Sequence, residues 1–165
     1  MEGTLLYWRR TMKKIAAVLD TLSASQNSFY LIKEFNKLHK NYEYSPVCFY
    51  TNLSATPVKT FFACMNVSYY SHFDGATIAT SIETADTILK TKNGSAKKFL
   101  YLWDLEWIRK PMDFNYVNSV LSHPNLAIIS RSNSHKQLIE NYCNREVAGV
   151  VEDWNMEQLE QIIWT

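Results

Sequence analysis

Glycine and proline are scarce. Only Gly3, Gly75, Gly94 and Gly149, and Pro46, Pro57, Pro111 and Pro124, occur in 165 residues. Neither a glycine-rich phosphate cradle of the P-loop type nor a G-x-G-x-x-G dinucleotide turn can be written from them. A nucleotide would have to be held by other means. Cysteine is also scarce: Cys48, Cys64 and Cys143 make an odd count with no C-x-x-C. That argues for a reduced, cytosolic compartment. Cys48 and Cys64 lie inside apolar runs, where a thiol behaves as a small hydrophobe. No histidine is placed to activate either as a nucleophile. Net charge is nearly absent, with 17 basic against 16 acidic residues, which excludes a globally basic nucleic-acid footprint. His39, His72 and His123 are isolated from other ligand types, so no metal site is expected, and no cofactor is implied. No apolar run approaches the roughly 18 residues of a membrane span. The apolar stretch behind the basic N-terminus covers only 15–19, too short for a signal peptide. A cytoplasmic protein (of the host cell, if viral) without a membrane partner is expected.

What is present is a globular composition, 47% apolar and 14% aromatic, at a length that fits one domain with its own core. Residues 1–12 read as an N-terminal extension and 13–165 as a single domain. The chain then alternates. Short apolar runs at 14–20, 46–50, 76–80, 98–103, 126–131 and 146–151 read as buried strands. Between them lie helical patterns. Leu31, Phe35 and Leu38 share one face of a helix over 27–41, with Lys33, Lys37 and Lys40 on another. The aromatic segment 56–72 reads as a buried helix started near Pro57. Thr80-Ser81-Ile82-Glu83 has capping-box spacing ahead of a helix through Leu89. A helix over 114–121 stops at Ser122-His123-Pro124. Ser134 and Gln137 would cap a helix burying Leu138, Ile139 and Tyr142. Asn155 and Gln158 would cap a last helix carrying Leu159, Ile162 and Ile163. Six strands separated by single helices predict an α/β, doubly wound, mainly parallel, Rossmann-like sheet.

In such a sheet ligands bind beyond the carboxyl ends of the strands. The residues found there are therefore the site candidates. After the first strand, Ser23, Ser25 and Asn27 open a helix, and either cap it or meet a phosphate or sugar hydroxyl. After the third, Ser81 and Glu83 offer hydrogen-bonding groups. After the fourth, Trp103-Asp104-Leu105-Glu106-Trp107 sets two carboxylates between two indoles, a pairing suited to sugars or to a protein partner. After the fifth, Arg131 and His135 flank serines at a helix start that could hold an anion. Lys33, Lys37 and Lys40 would form the nucleic-acid or partner face, although nucleic acid is not favoured. The apolar stripe of the last helix must be covered, either by the chain's own sheet or by a partner protein.

In chain order, four segments carry a resemblance: KIAAVLD with its loop, ATIATSIETADTIL, KKFLYLWDLEW, and IISRSNSHKQLIENYCNREVAGVVEDWN. Over about 13–155 the sequence resembles the N-terminal half of a GT-B glycosyltransferase of the retaining family-four type, including versions carried by tailed phages. The resemblance implies an acceptor-binding half of a nucleotide-sugar-dependent transferase that needs a donor-binding domain or partner chain, with a sugar or nucleotide sugar as ligand. Ser23, Ser25 and Asn27 stand where the family's first loop is glycine-rich, which would narrow the approach of a pyrophosphate. The alternative is a non-catalytic, phage-type protein that keeps the fold as a scaffold and binds a host protein or nucleic acid, as a regulator of transcription or defence.

Overall fold

The structure is a computed structural model, and it describes residues 12–92 and 97–165. Except for Met12, the expected N-terminal extension lies outside the described residues. Seven parallel strands form one sheet: β1 (Lys13–Leu22), β2 (Tyr44–Leu53), β3 (Ala63–Asn66), β4 (Ala76–Ala79), β5 (Lys98–Leu102), β6 (Leu126–Ser130) and β7 (Gly149–Val150). Their order across the sheet is β3-β2-β1-β4-β5-β6-β7. Among the described residues six α-helices accompany them: α1 (Gln26–His39), α2 (Ile82–Lys90), α3 (Glu106–Arg109), α4 (Phe114–Leu121), α5 (Asn133–Cys143) and α6 (Met156–Ile163). The α/β, doubly wound, Rossmann-like architecture is as the sequence predicts.

The central strands are apolar without alternation because both of their faces are covered. Ile15 to Leu19 are all buried, and successive side chains enter opposite layers. Ile15, Ala17 and Leu19 join Leu31, Phe35, Trp154, Leu159 and Ile163 in a layer covered by α1 and α6. Ala16 and Val18 join Ile82, Ile88, Val117, Leu121 and Ile139 in a layer covered by α2, α4 and α5. The chain winds outward from β1 to β3, then returns and winds the other way from β4. Right-handed crossovers in opposite directions put their helices on opposite faces. The reversal falls between β1 and β4. There the two strands are uneven in length. β1 pairs with β2 as far as Leu22 opposite Leu53, but with β4 only as far as Val18 opposite Ala79. A notch is left in the sheet at the reversal point.

Three expectations are corrected. The segment 56–72 is not a helix. It is an extended stretch, the edge strand β3 and a 3-10 helix over Val67–His72, which brings the strand count to seven. Its aromatics serve opposite layers, Phe62 beside Phe35 and Tyr70 beside Phe49, so no single helical face could bury them. Asn36 holds the extended stretch through paired bonds, Nδ2 to the Lys59 carbonyl and Oδ1 from the Phe61 amide, both 2.8 Å. Secondly, Ser132 rather than Ser134 caps α5, accepting the His135 amide. Of the three residues expected inside, only Ile139 is buried. Leu138 and Tyr142 are exposed, because α5 packs on β6 and the edge strand β7. Thirdly, the last strand is a two-residue piece, Gly149–Val150, although the Ala148 and Val151 amides extend its ladder to Ile128 and Ser130.

α6 lies on the chain's own sheet. Leu159 and Ile163 are fully buried, and Gly149 makes the close approach possible. A β-carbon there would stand 2.5 Å from Ile162 Cδ1.

Candidate functional site

A crevice of about 480 Å³ opens at the notch between β1 and β4, within the size range of small-molecule sites. Asp20, Thr21, Ser25, Gln26 and Asn27 form one wall. Thr80, Ser81, Trp103, Asp104, Glu106, Arg109 and Lys110 form the other. Asp20 and Thr21 belong to the carboxyl-terminal part of β1, and the other wall residues follow the carboxyl ends of β1, β4 or β5, as sheet topology dictates.

The helix starts at its rim are already occupied. Ser25 caps α1 by accepting the Ser28 amide at 3.1 Å. Ser81 caps α2 in a reciprocal box with Thr84, one residue later than the Thr80–Glu83 spacing suggests. Glu106 reaches 24 residues back and accepts the Ile82 amide at 2.5 Å. Its carboxylate thus sits where an N-terminal anion would otherwise bind.

The crevice carries three carboxyl groups, Asp20, Asp104 and Glu106, against the cations Arg109 and Lys110, and its interior is partly shielded from water. Burial is the main force raising Glu106, to about 7. The Ile82 amide opposes that rise, while Glu83 and Asp20 add to it. Asp20 is raised as well, first by burial and then by Glu83, against a hydrogen bond from Ser81 and the charge of Lys110. Asp104, at the outer rim, pairs with Arg109 at 3.0 Å.

The two tryptophans of the 103–107 segment part company. Trp103 is 8% exposed. Arg131 lies 3.8 Å above its ring, and Tyr30 and Tyr101 lie against it. Trp107 belongs to the opposite layer and stacks on Tyr142. The indoles therefore do not form a shared platform for one ligand.

Asn27 is drawn into the fold. Its Oδ1 accepts the Nε1–H of Trp154 at 2.7 Å. Trp154 is fully buried and, with Asp153, takes left-handed backbone angles, φ 62° and 45°. Non-glycine residues pay for that conformation and hold it only when fixed by their surroundings. Several bonds supply the fixing. Tyr101 donates to the Val151 carbonyl at 2.6 Å, Arg131 pairs with Asp153 at 2.9 Å, and Gln158 accepts the Glu152 amide at 2.8 Å.

The sequence-derived candidates thus separate into groups. Ser25, Asn27, Ser81, Trp103 and Asp104 share the notch crevice. Ser23 stays beside the α1 cap, its amide 3.5 Å from the Ser28 hydroxyl. Glu83 is exposed outside the walls and acts on them by charge. Arg131 and His135 line a smaller neighbouring cleft with Ser132, Glu152 and Asp153, in which His135 Nδ1 is buried without a hydrogen-bond partner. Lys33 and Lys37 are exposed on α1, and Lys40 is exposed at its C-cap. Lys37 is paired with Glu34, and Lys33 and Lys37 border a groove shared with Glu152 and Glu157, so that face carries both signs. Sequence reasoning reaches Glu106 only as part of the 103–107 segment, and Asp20, Thr21, Gln26, Thr80, Arg109 and Lys110 of the crevice walls are not among the candidates. Asp20 directly follows the apolar run 15–19 and Glu106 closely follows β5, and that position was the available signal.

A larger groove, about 600 Å³, lies at the opposite end of the sheet. Its cations have structural partners. Lys98 caps α2 through the Ile88 and Thr91 carbonyls, and Arg145 gathers the carbonyls of Leu121, His123 and Leu126. Among the described residues no group of three or more His, Cys, Asp or Glu side chains is arranged to hold a metal ion. No helix among them is long and apolar enough to cross a membrane. No known family, curated protein or solved structure matches the chain.

Proposed function

We propose that the chain is a sugar-handling, glycosyltransferase-like domain, the acceptor side of a transferase whose donor-binding half is supplied separately, and that the notch crevice holds the acceptor sugar. One observation carries this reading: Asp20 and Glu106 face the same crevice, with Glu106 already seated at the α2 N-terminus. Carboxylates accept hydrogen bonds from neutral hydroxyls. They repel phosphate, the helix end that could have offset this is filled, and of the two wall cations Arg109 is already paired with Asp104. A carboxyl group titrating near neutrality also suits the removal of a proton from an acceptor hydroxyl. Ser25, Ser81 and Thr80 supply further hydroxyls at the walls.

Calorimetry with neutral glycosides, free UDP and UDP-glucose tests the proposal. Glycosides are expected to bind, with affinity reduced at least tenfold in Asp20→Asn and Glu106→Gln. UDP binding tighter than any glycoside would overturn it, as would no glycoside binding at millimolar concentration.

A second reading, a non-catalytic scaffold for a protein partner, has its own observation. Ile108 and Phe114 are 70% and 63% exposed, beside the stacked Trp107–Tyr142 pair. Such patches favour protein contacts. Under this reading Ile108→Ser with Phe114→Ser abolishes partner capture and leaves glycoside binding unchanged.

A further inference from the structure

The sheet ends on one side at β3, and there two of the three cysteines meet. Cys64 on β3 stands directly opposite Cys48 on β2. In-register neighbours of parallel strands project to the same face. Cys48 accordingly lies in the layer under α1, and Cys64 packs against that layer. Strand neighbours are about 4.8 Å apart, inside the Cα separation of roughly 4.4–6.8 Å that a disulfide spans. Both thiols are free. Their access to solvent differs: Cys48 is buried and Cys64 half-buried.

We propose that Cys64 and Cys48 form a thiol oxidation site that takes a small hydroperoxide and closes to a cross-strand disulfide. Cys64 is the attacking group and Cys48 the resolving one. The Cys64 thiolate attacks the outer peroxide oxygen and the O–O bond breaks. The products are a Cys64 sulfenic acid and hydroxide or alkoxide, which takes a proton from water. Cys48 Sγ then attacks the Cys64 sulfur, the S–O bond breaks, and water leaves with the Cys48 proton. Two thiols are oxidised by two electrons and one peroxide is reduced. A dithiol reductant reverses the change.

The surroundings divide the roles in this order. The neighbouring Cys48 thiol brings Cys64 down to about 7, helped by Thr60 and opposed by burial. Cys48 itself is pushed well up, by the Cys64 neighbour and then by burial. Each Sγ also lies near a carbonyl, Cys48 that of Phe49 at 3.8 Å and Cys64 that of Phe62 at 3.9 Å. A thiolate at neutral pH is the nucleophile. Cys143 has no such neighbour, is raised by burial, and serves as an internal control. The site is independent of the crevice and of the function proposed for it.

The test treats the full chain with equimolar hydrogen peroxide and maps the products by mass spectrometry. Loss of two hydrogens in a linked peptide containing Cys48 and Cys64 is expected, with Cys143 unmodified. In Cys48→Ala the sulfenic acid should persist on Cys64 and be trapped by dimedone. In Cys64→Ser neither remaining cysteine should react. Iodoacetamide labelling of Cys64 against pH should show a midpoint near 7, moving upward in Cys48→Ala. Circular dichroism checks that each variant is folded, and the wild-type and Cys64→Ser results suffice if Cys48→Ala is not. Oxidation of Cys143 as fast as Cys64 would overturn the proposal. So would a wild-type chain that accumulates sulfenic acid without forming the disulfide.

Discussion

Glu106 spends its burial on a single amide. Its carboxylate satisfies the Ile82 N–H but gives up water to do so, and the protonated form is the one the fold favours. The native value, about 7, lies above the ordinary unfolded value near 4.3. The stabilising contribution is therefore complete below about pH 4 and is lost as pH rises through 7. Glu106→Gln keeps an acceptor for Ile82 and removes the titration. The melting temperature of wild type should fall between pH 5 and pH 8 by more than that of the variant, as scanning calorimetry at both pH values would show. Equal shifts would mean that Glu106 is ionised at no cost. Asn27 makes a second residue-scale case. Asn27→Ala leaves the buried Trp154 indole N–H without an acceptor and should cost about 1–3 kcal/mol in urea unfolding. A ligand-contacting Asn27 with no structural role would instead lose affinity at unchanged stability.

At the scale of elements, the sequence displays what is buried on both sides. The runs IAAVL, FLYL and LAIIS read as strands because the doubly covered sheet removes alternation. β3 was illegible for the opposite reason. Ala63, Met65 and Asn66 are exposed on an edge, and the apolar run 61–65 joins the aromatics that follow it, so the strand does not stand out from the segment read as a helix. Its placement depends on Asn36, far away in sequence, and no local pattern predicts that contact. The crevice shows the same division. The 103–107 segment could be found from its position after a strand, whereas the seating of Glu106 on α2 and the Trp154–Asn27 bond, 127 residues apart, are long-range events. A prediction belongs here. Asn36→Ala should release the stretch around 57–62, exposing it to limited proteolysis and raising amide exchange in β3, while β1 and β5 remain protected. Unchanged cleavage would show that β3 is held by its ladder alone.

For the molecule as a whole, α6 decides whether the sheet is closed on one side. Met156, Leu159 and Ile163 complete the layer containing Trp154 and Phe35, and the Lys97 ammonium holds the Ile163 carbonyl at 2.8 Å. Leu159→Ala should destabilise the protein by about 2–5 kcal/mol. Tryptophan fluorescence and far-ultraviolet circular dichroism should still report one coincident urea transition, because α6 shares its core with β1. An earlier, separate fluorescence change would show α6 to be a detachable flap. The notch between β1 and β4 has a different kind of consequence. Past Val18, β1 pairs with β2 but not with β4, so under the proposed function a guest in the crevice would lie along the backbone of β1 as well as against side chains. Peptide groups are the same whatever residue carries them. Substitution can redraw the rim around Asp104, Arg109 and Lys110 and so change which guest is preferred, while the foothold itself passes unaltered from one variant to the next.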